Sequence, residues 1–127
     1  MTEKLTEAQL KASVDQYLQY GMNMGLWYSD RLNSGTYFVP AEGNHKGRLI
    51  RGCRNGTADY IVLQRRTNGT TTYCQVIFLE LKGHKTPIRK EQKEFANRMA
   101  ELGAEYHIIR SLEALAQVLP IKELRSN

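Results

Sequence analysis

The stretch Val76-Ile77-Phe78-Leu79-Glu80-Leu81-Lys82 decides how the chain folds. Side chains alternate across a strand, so Ile77, Leu79 and Leu81 share one face while Val76, Phe78, Glu80 and Lys82 share the other. The first face is apolar throughout; the second begins apolar and ends in two opposite charges. Upstream, Asp59 to Arg66 has the same strand character, and Asn68-Gly69-Thr70 between the two runs is a strong hairpin signal. A two-residue turn at Asn68-Gly69 pairs Asp59 with Phe78, whereas a turn at Gly69-Thr70 pairs it with Glu80. Either register puts Asp59 and Glu80 on one face, as direct or diagonal neighbours within reach of one small ion.

Outward from this hairpin the period changes. Downstream, Thr86 reads as an N-cap and Pro87 as the first residue of a helix to about Leu102, with Ile88, Phe95, Met99 and Leu102 as its apolar stripe. Gln92 falls on that stripe, and Gly103 ends the helix. Glu105 to Arg110 reads as a last strand, and Ser111 caps a short helix that closes before Pro120. Upstream, Leu10, Val14, Tyr17 and Leu18 recur at helical spacing from Thr6, a plausible N-cap, to about Tyr20, with Gly21 as the stop. Leu26 to Tyr28 and Thr36 to Val39 read as one or two strands around an Asn33-Ser34-Gly35 turn. Pro40 to Thr57, rich in glycine and carrying His45, Lys46, Arg48, Arg51 and Arg54, reads as a flexible basic loop with a strand at Leu49-Ile50. The order α-β-β-β-α-β plus a short C-terminal helix predicts an α/β (α+β) fold: one domain over residues 1–127, a mixed central sheet flanked by helices.

Composition sets the outer limits. With 127 residues, 41% hydrophobic and 24% charged, the chain can bury one core, and global disorder is excluded. A net charge of +5 suits a polyanionic partner, of which nucleic acid is the commonest for a small basic protein. No apolar run reaches the roughly 18 residues of a membrane span, and Met1-Thr2-Glu3-Lys4 leads into a polar stretch without a signal-peptide core, so a soluble cytoplasmic protein is expected. Cys53 and Cys74 then read as reduced thiols, and the sequons at Asn55 and Asn68 as turns. A zinc site from Cys53, Cys74, His45, His84 and His107 fails on spacing, since none fall in close pairs.

Two carboxylates side by side repel, and a bound cation relieves that repulsion. A hard divalent metal held this way polarises a phosphoryl oxygen and acidifies water, and a nearby lysine orients the water or offsets charge building on the phosphate. Asp59, Glu80 and Lys82 therefore make a candidate phosphodiesterase site. Glu-Leu-Lys alone carries little weight, because the tripeptide is common and a solvated strand end with a weak ion pair is the better account of it. Asp59 on the paired strand adds the weight. Gln92, an amide on a stripe that faces the sheet, needs buried hydrogen-bond partners that such a site supplies.

Gly56-Thr57-Ala58-Asp59, Phe78-Leu79-Glu80-Leu81-Lys82, Gln92 and Gly103 resemble, in order and spacing, the PD-(D/E)XK nucleases, and within them the VRR-NUC branch. The resemblance covers roughly Gln9 to Leu115. It implies a restriction-endonuclease-like fold in which Asp59, Glu80 and the Leu81 carbonyl bind Mg²⁺ or Mn²⁺, Lys82 assists the attacking water and Gln92 supports the site. Ala58 stands where the family has proline. The acidic residue that many members carry on the first helix falls at Gln9, a weaker metal ligand, with Glu7 two residues away and about half a turn round the helix. Arg31, with Asn33 and Gly35, matches the family's Arg-x-Asn-Ser-Gly stretch and is expected to contact phosphate. Arg48, Arg51, Arg54, Lys85, Arg89, Lys90 and Lys93 are expected to hold the DNA backbone without reading sequence. Free-standing domains of this type resemble phage and bacterial enzymes thought to act as homodimers on four-way or branched DNA, where a two-fold dimer presents one site to each scissile strand. The rival from another class is a catalytically silent nucleic-acid-binding module on the same fold, which Gln9 keeps open; another is a nuclease acting on a different DNA structure.

Overall fold

The computed structural model describes residues 5–122. In chain order its elements are α1 (Glu7–Asn23), β1 (Tyr28–Arg31), β2 (Thr36–Val39), β3 (Arg48–Arg51), β4 (Tyr60–Thr67), β5 (Thr72–Leu81), α2 (Lys90–Glu101), β6 (Glu105–Ile109) and α3 (Leu112–Val118). The fold is mixed α+β, as the sequence predicts, with two strands more than the predicted order counts. The sequence places Leu26–Tyr28 and Thr36–Val39 around one turn. Instead, β1 pairs antiparallel with β4, while β2 pairs with β3 in a separate two-stranded sheet.

The central sheet has the order β1-β4-β5-β6. β4 and β5 are antiparallel, from Tyr60 opposite Leu79 to Thr67 opposite Thr72, and the Asn68 N–H donates to the Thr71 carbonyl at 3.1 Å. The turn is thus Gly69-Thr70, with Gly69 at φ 95° and no non-glycine residue at positive φ among the described residues. An Asn-Gly turn of type I′ needs positive φ at both central residues, whereas a type II′ turn needs it only at a leading glycine. That requirement selects the second register; the ladder ends at Tyr60 and Leu79, so Asp59 stands just outside it, beside the C-terminal end of β5. β6 runs parallel to β5, which requires a crossover, and α2 supplies it.

The alternation of β5 sorts the two layers. Ile77, Leu79 and Leu81 join Tyr60, Val62 and Ile109 in the main core, with Leu10, Val14 and Leu18 of α1 and Leu115 of α3. On the other face Phe78 meets Phe95 of α2 edge-on at 5.1 Å, and Phe95 lies 6.0 Å from Tyr106 of β6. Gly21 does not stop α1, which continues to Asn23. Its missing side chain makes room for Trp27, since a Cβ there would sit 1.9 Å from the indole ring. The indole N–H donates to the Leu18 carbonyl at 3.0 Å, tying the helix exit to its last turns.

α2 also departs from expectation. Thr86 is not its N-cap and Pro87 not its first residue: the Thr86 N–H donates to the Gly83 carbonyl, and the helix begins at Lys90 behind Arg89. Arg89 has no acceptor side chain to offer, so the cap comes from within the helix, where the Gln92 side-chain oxygen accepts from the Arg89 N–H at 2.9 Å. Ile88 lies before the helix, Leu102 is exposed, and Gln92 is the buried residue of α2. α3 begins as expected, with the Ser111 hydroxyl accepting from the Ala114 N–H. No helix among the described residues is long and apolar enough to cross a membrane.

Candidate active site

The C-terminal end of β5 is where the chain gathers charge. Glu80 and Lys82 are only 4% and 5% exposed, an unusual burial for two ionisable side chains. Asp59, at the mouth of β4, turns one carboxylate oxygen onto the Leu81 N–H at 2.7 Å. The N–H and C=O of a strand residue point to the same side, so the Leu81 carbonyl also faces Asp59. Lys82 is fixed by the next step of the ladder, its N–H donating to the Ile109 carbonyl at 3.1 Å.

Glu80 carries the electrostatic signature of the site. Burial, and then the negative charge of Asp59, push its carboxyl up to about 8, against a smaller opposing pull from Lys82 and Arg89. Its Oε1 is buried without a hydrogen-bond partner, and so is the Tyr106 hydroxyl. Burial raises the Tyr106 phenol well above its ordinary range, and the charges of Glu80 and Asp59 add to that rise. Buried polar atoms are nearly always satisfied, so an orphaned carboxylate oxygen here fits a ligand supplied from outside the chain. A hard cation fits the donor set of two carboxylates and a carbonyl. Among the described residues no three of His, Cys, Asp and Glu group closely enough to hold a metal by side chains alone.

Asp59 also lines an open cleft of about 390 Å³ with Glu7, Lys11, Arg31, Tyr37 and Leu81. Gln9, expected as a weaker metal ligand, is exposed and serves the helix start instead. Its side-chain oxygen accepts from the Thr6 N–H at 3.0 Å while its own N–H donates to the Thr6 hydroxyl. Glu7 is the acidic residue that the first helix brings to the cleft. The signal that separates the two was present in the sequence, because Thr6-x-x-Gln9 is a capping box that commits the glutamine amide to the first turn.

Gly56 brings the loop ahead of Asp59 against α2. Its φ is +89°, and a Cβ there would stand 2.4 Å from the Glu91 carbonyl oxygen. Ala58 is fully buried behind it. The expected DNA-contacting residues spread around this centre. Arg31 is on the cleft wall; Arg51 and Arg54 line a neighbouring hollow with Gly35 and Cys53. Arg48, Lys85, Arg89 and Lys93 are exposed, and Lys90 faces Glu94 at 3.9 Å in a solvated pair. No family model matches the chain, and no curated protein matches it.

Proposed function

We propose that the protein is a divalent-metal-dependent DNA endonuclease of the VRR-NUC type. The observation that carries the reading is the Asp59 carboxylate set just past the β4–β5 ladder on the Leu81 N–H, its charge felt by Glu80, with Glu80 Oε1 buried and unsatisfied and Lys82 buried beside it. Asp59, Glu80 and the Leu81 carbonyl are the groups that would hold Mg²⁺ or Mn²⁺, with Glu7 across the cleft. When bound, such an ion supplies Lewis acidity toward a phosphoryl oxygen. Lys82 offsets negative charge as it builds on the phosphate, in a buried setting where one cation counts for more than in water. Arg31 steadies a phosphate from the cleft wall, and Gln92, its side-chain oxygen spent on the Arg89 N–H, acts by fixing the first turn of α2 rather than by touching the carboxylates. Branched or four-way-junction DNA as substrate, a homodimer as the working form and the cytoplasm of a bacterium or phage-infected cell as its place follow from the resemblance in motif order.

A second reading is a silent nucleic-acid-binding module, favoured by the absence of a third grouped carboxylate among the described residues. Cleavage of plasmid and branched DNA in Mn²⁺, with chelator as control, separates the two. On the nuclease reading, Asp59→Ala and Glu80→Ala abolish cleavage while DNA binding in Ca²⁺ survives. Near wild-type turnover in either variant overturns the site assignment.

A further inference from the structure

The β2–β3 hairpin is a sheet of its own, joined to the body where the Gly52 and Cys53 N–H groups donate to the Gly35 and Asn33 carbonyls. Residues directly opposite in an antiparallel pair point the same way. Tyr37 and Ile50 therefore share one face, and Tyr37 lines the cleft beside Asp59 and Arg31. Phe38 and Leu49 share the other face with Thr36 and Arg51, and they are 65% and 72% exposed. A phenyl ring and a leucine this open on an isolated hairpin are costly to leave in water.

Charge decides what covers them. From residue 36 to residue 54 the arm and its base carry Lys46, Arg48, Arg51 and Arg54 against one carboxylate, Glu42. Two such arms face to face repel, which disfavours a second copy of the chain. A polyanion that also offers a flat apolar surface satisfies both features. We infer that the arm grips unpaired nucleotides beside the phosphodiester held in the cleft, an exposed base stacking on Phe38 against Leu49 while Arg51, on the same face, and Arg54 at the base of the arm pair with flanking phosphates. In a duplex the base faces are already stacked, so only unpaired nucleotides offer both partners together. The inference rests on the nuclease reading for the position of the cleaved bond, but not for the binding itself.

The test uses the full chain in chelator, with anisotropy titrations of a labelled oligothymidylate and of a blunt duplex of equal length. Phe38→Ala weakens oligothymidylate binding about tenfold, the scale of one lost base stack, and leaves duplex binding within about twofold. Phe38→Tyr, which keeps the ring, restores the affinity. Equal losses on both probes, or none, overturn the inference. So does a wild-type dimer that sedimentation shows falling apart on Phe38→Ala, because a second copy then covers the face. Cleavage in Mn²⁺ is scored separately: wild-type protein that discriminates the probes yet never cuts sinks the nuclease reading alone, and one that cuts but ignores Phe38→Ala sinks the arm alone.

Discussion

Glu80 makes the site sensitive to pH in a direction that can be worked out. In the unfolded chain a glutamate releases its proton near the ordinary value of about 4.3. In the folded, metal-free protein burial and Asp59 hold that proton until about pH 8. The folded state therefore binds more protons between those values. Glu80's contribution to stability is fully present below the unfolded pKa and drains away as pH rises through about 8. Melting temperature in chelator should accordingly fall from mildly acidic to mildly alkaline pH, and Glu80→Gln should flatten the decline. A wild-type profile that rises over that range contradicts the buried, carboxylate-flanked environment. On the nuclease reading a divalent cation would compete with the same proton, so any stabilisation it gives should grow toward pH 8. Lys82 offers a kinetic counterpart. Its replacement by alanine should lower single-turnover cleavage by about 10²-fold or more, the scale of one preorganised electrostatic group. DNA affinity should barely move, because one buried cation adds little to a broadly basic surface. A rate within about threefold of wild type would remove Lys82 from the chemistry.

Elements place these residues, and the sequence carries some of that placement better than the rest. The two faces of β5 are legible because a strand has a strict period of two and one face ends in charge. Its register is not, because Asn68-Gly69 and Gly69-Thr70 both suit a tight turn; the backbone choice at Gly69 settles it. Thr86-Pro87 misleads about the start of α2 because the working cap, Gln92 onto the Arg89 N–H, has no Ser, Thr, Asp or Asn to announce it. Gly21 misleads as a stop because its function is long-range, a seat for an indole six residues later. Gly56 shows the same limit: a turn glycine in sequence, a contact with Glu91 in space. Gly56→Ala would meet both a positive φ and a backbone oxygen at 2.4 Å. A loss of about 2–4 kcal/mol is expected, strain and overpacking together, read by denaturant unfolding. Because the loop it anchors delivers Asp59, cleavage should fall even at temperatures where the variant stays folded. A Gly56→Ala protein with wild-type stability would mean that the loop and α2 do not pack as described.

Across the whole molecule, positive charge is spread rather than gathered: Arg31 on the cleft wall, Arg48, Arg51 and Arg54 along the arm, Lys85, Arg89, Lys90 and Lys93 around the start of α2. Acidic neighbours thin that field locally, since Lys90 faces Glu94 and Arg66 pairs with Glu105 on the sheet's far side. The effective contact set is thus smaller than the formal count of basic residues. If about four to six of these side chains meet phosphates, each displaces condensed counterions, and the logarithm of affinity should fall against the logarithm of salt with a slope of about −4 to −5 on duplex. A chain whose +5 charge serves solubility alone predicts a shallow slope with no dependence on where a cation is removed. The two are separated by salt titrations on Arg51→Ala and Lys85→Ala, each of which should reduce the slope by about one while leaving the melting temperature unchanged. Arg66→Ala is the control: it lies in an ion pair away from the cleft, so its removal should leave the slope alone. Equal slopes in all three variants would take nucleic acid off this surface.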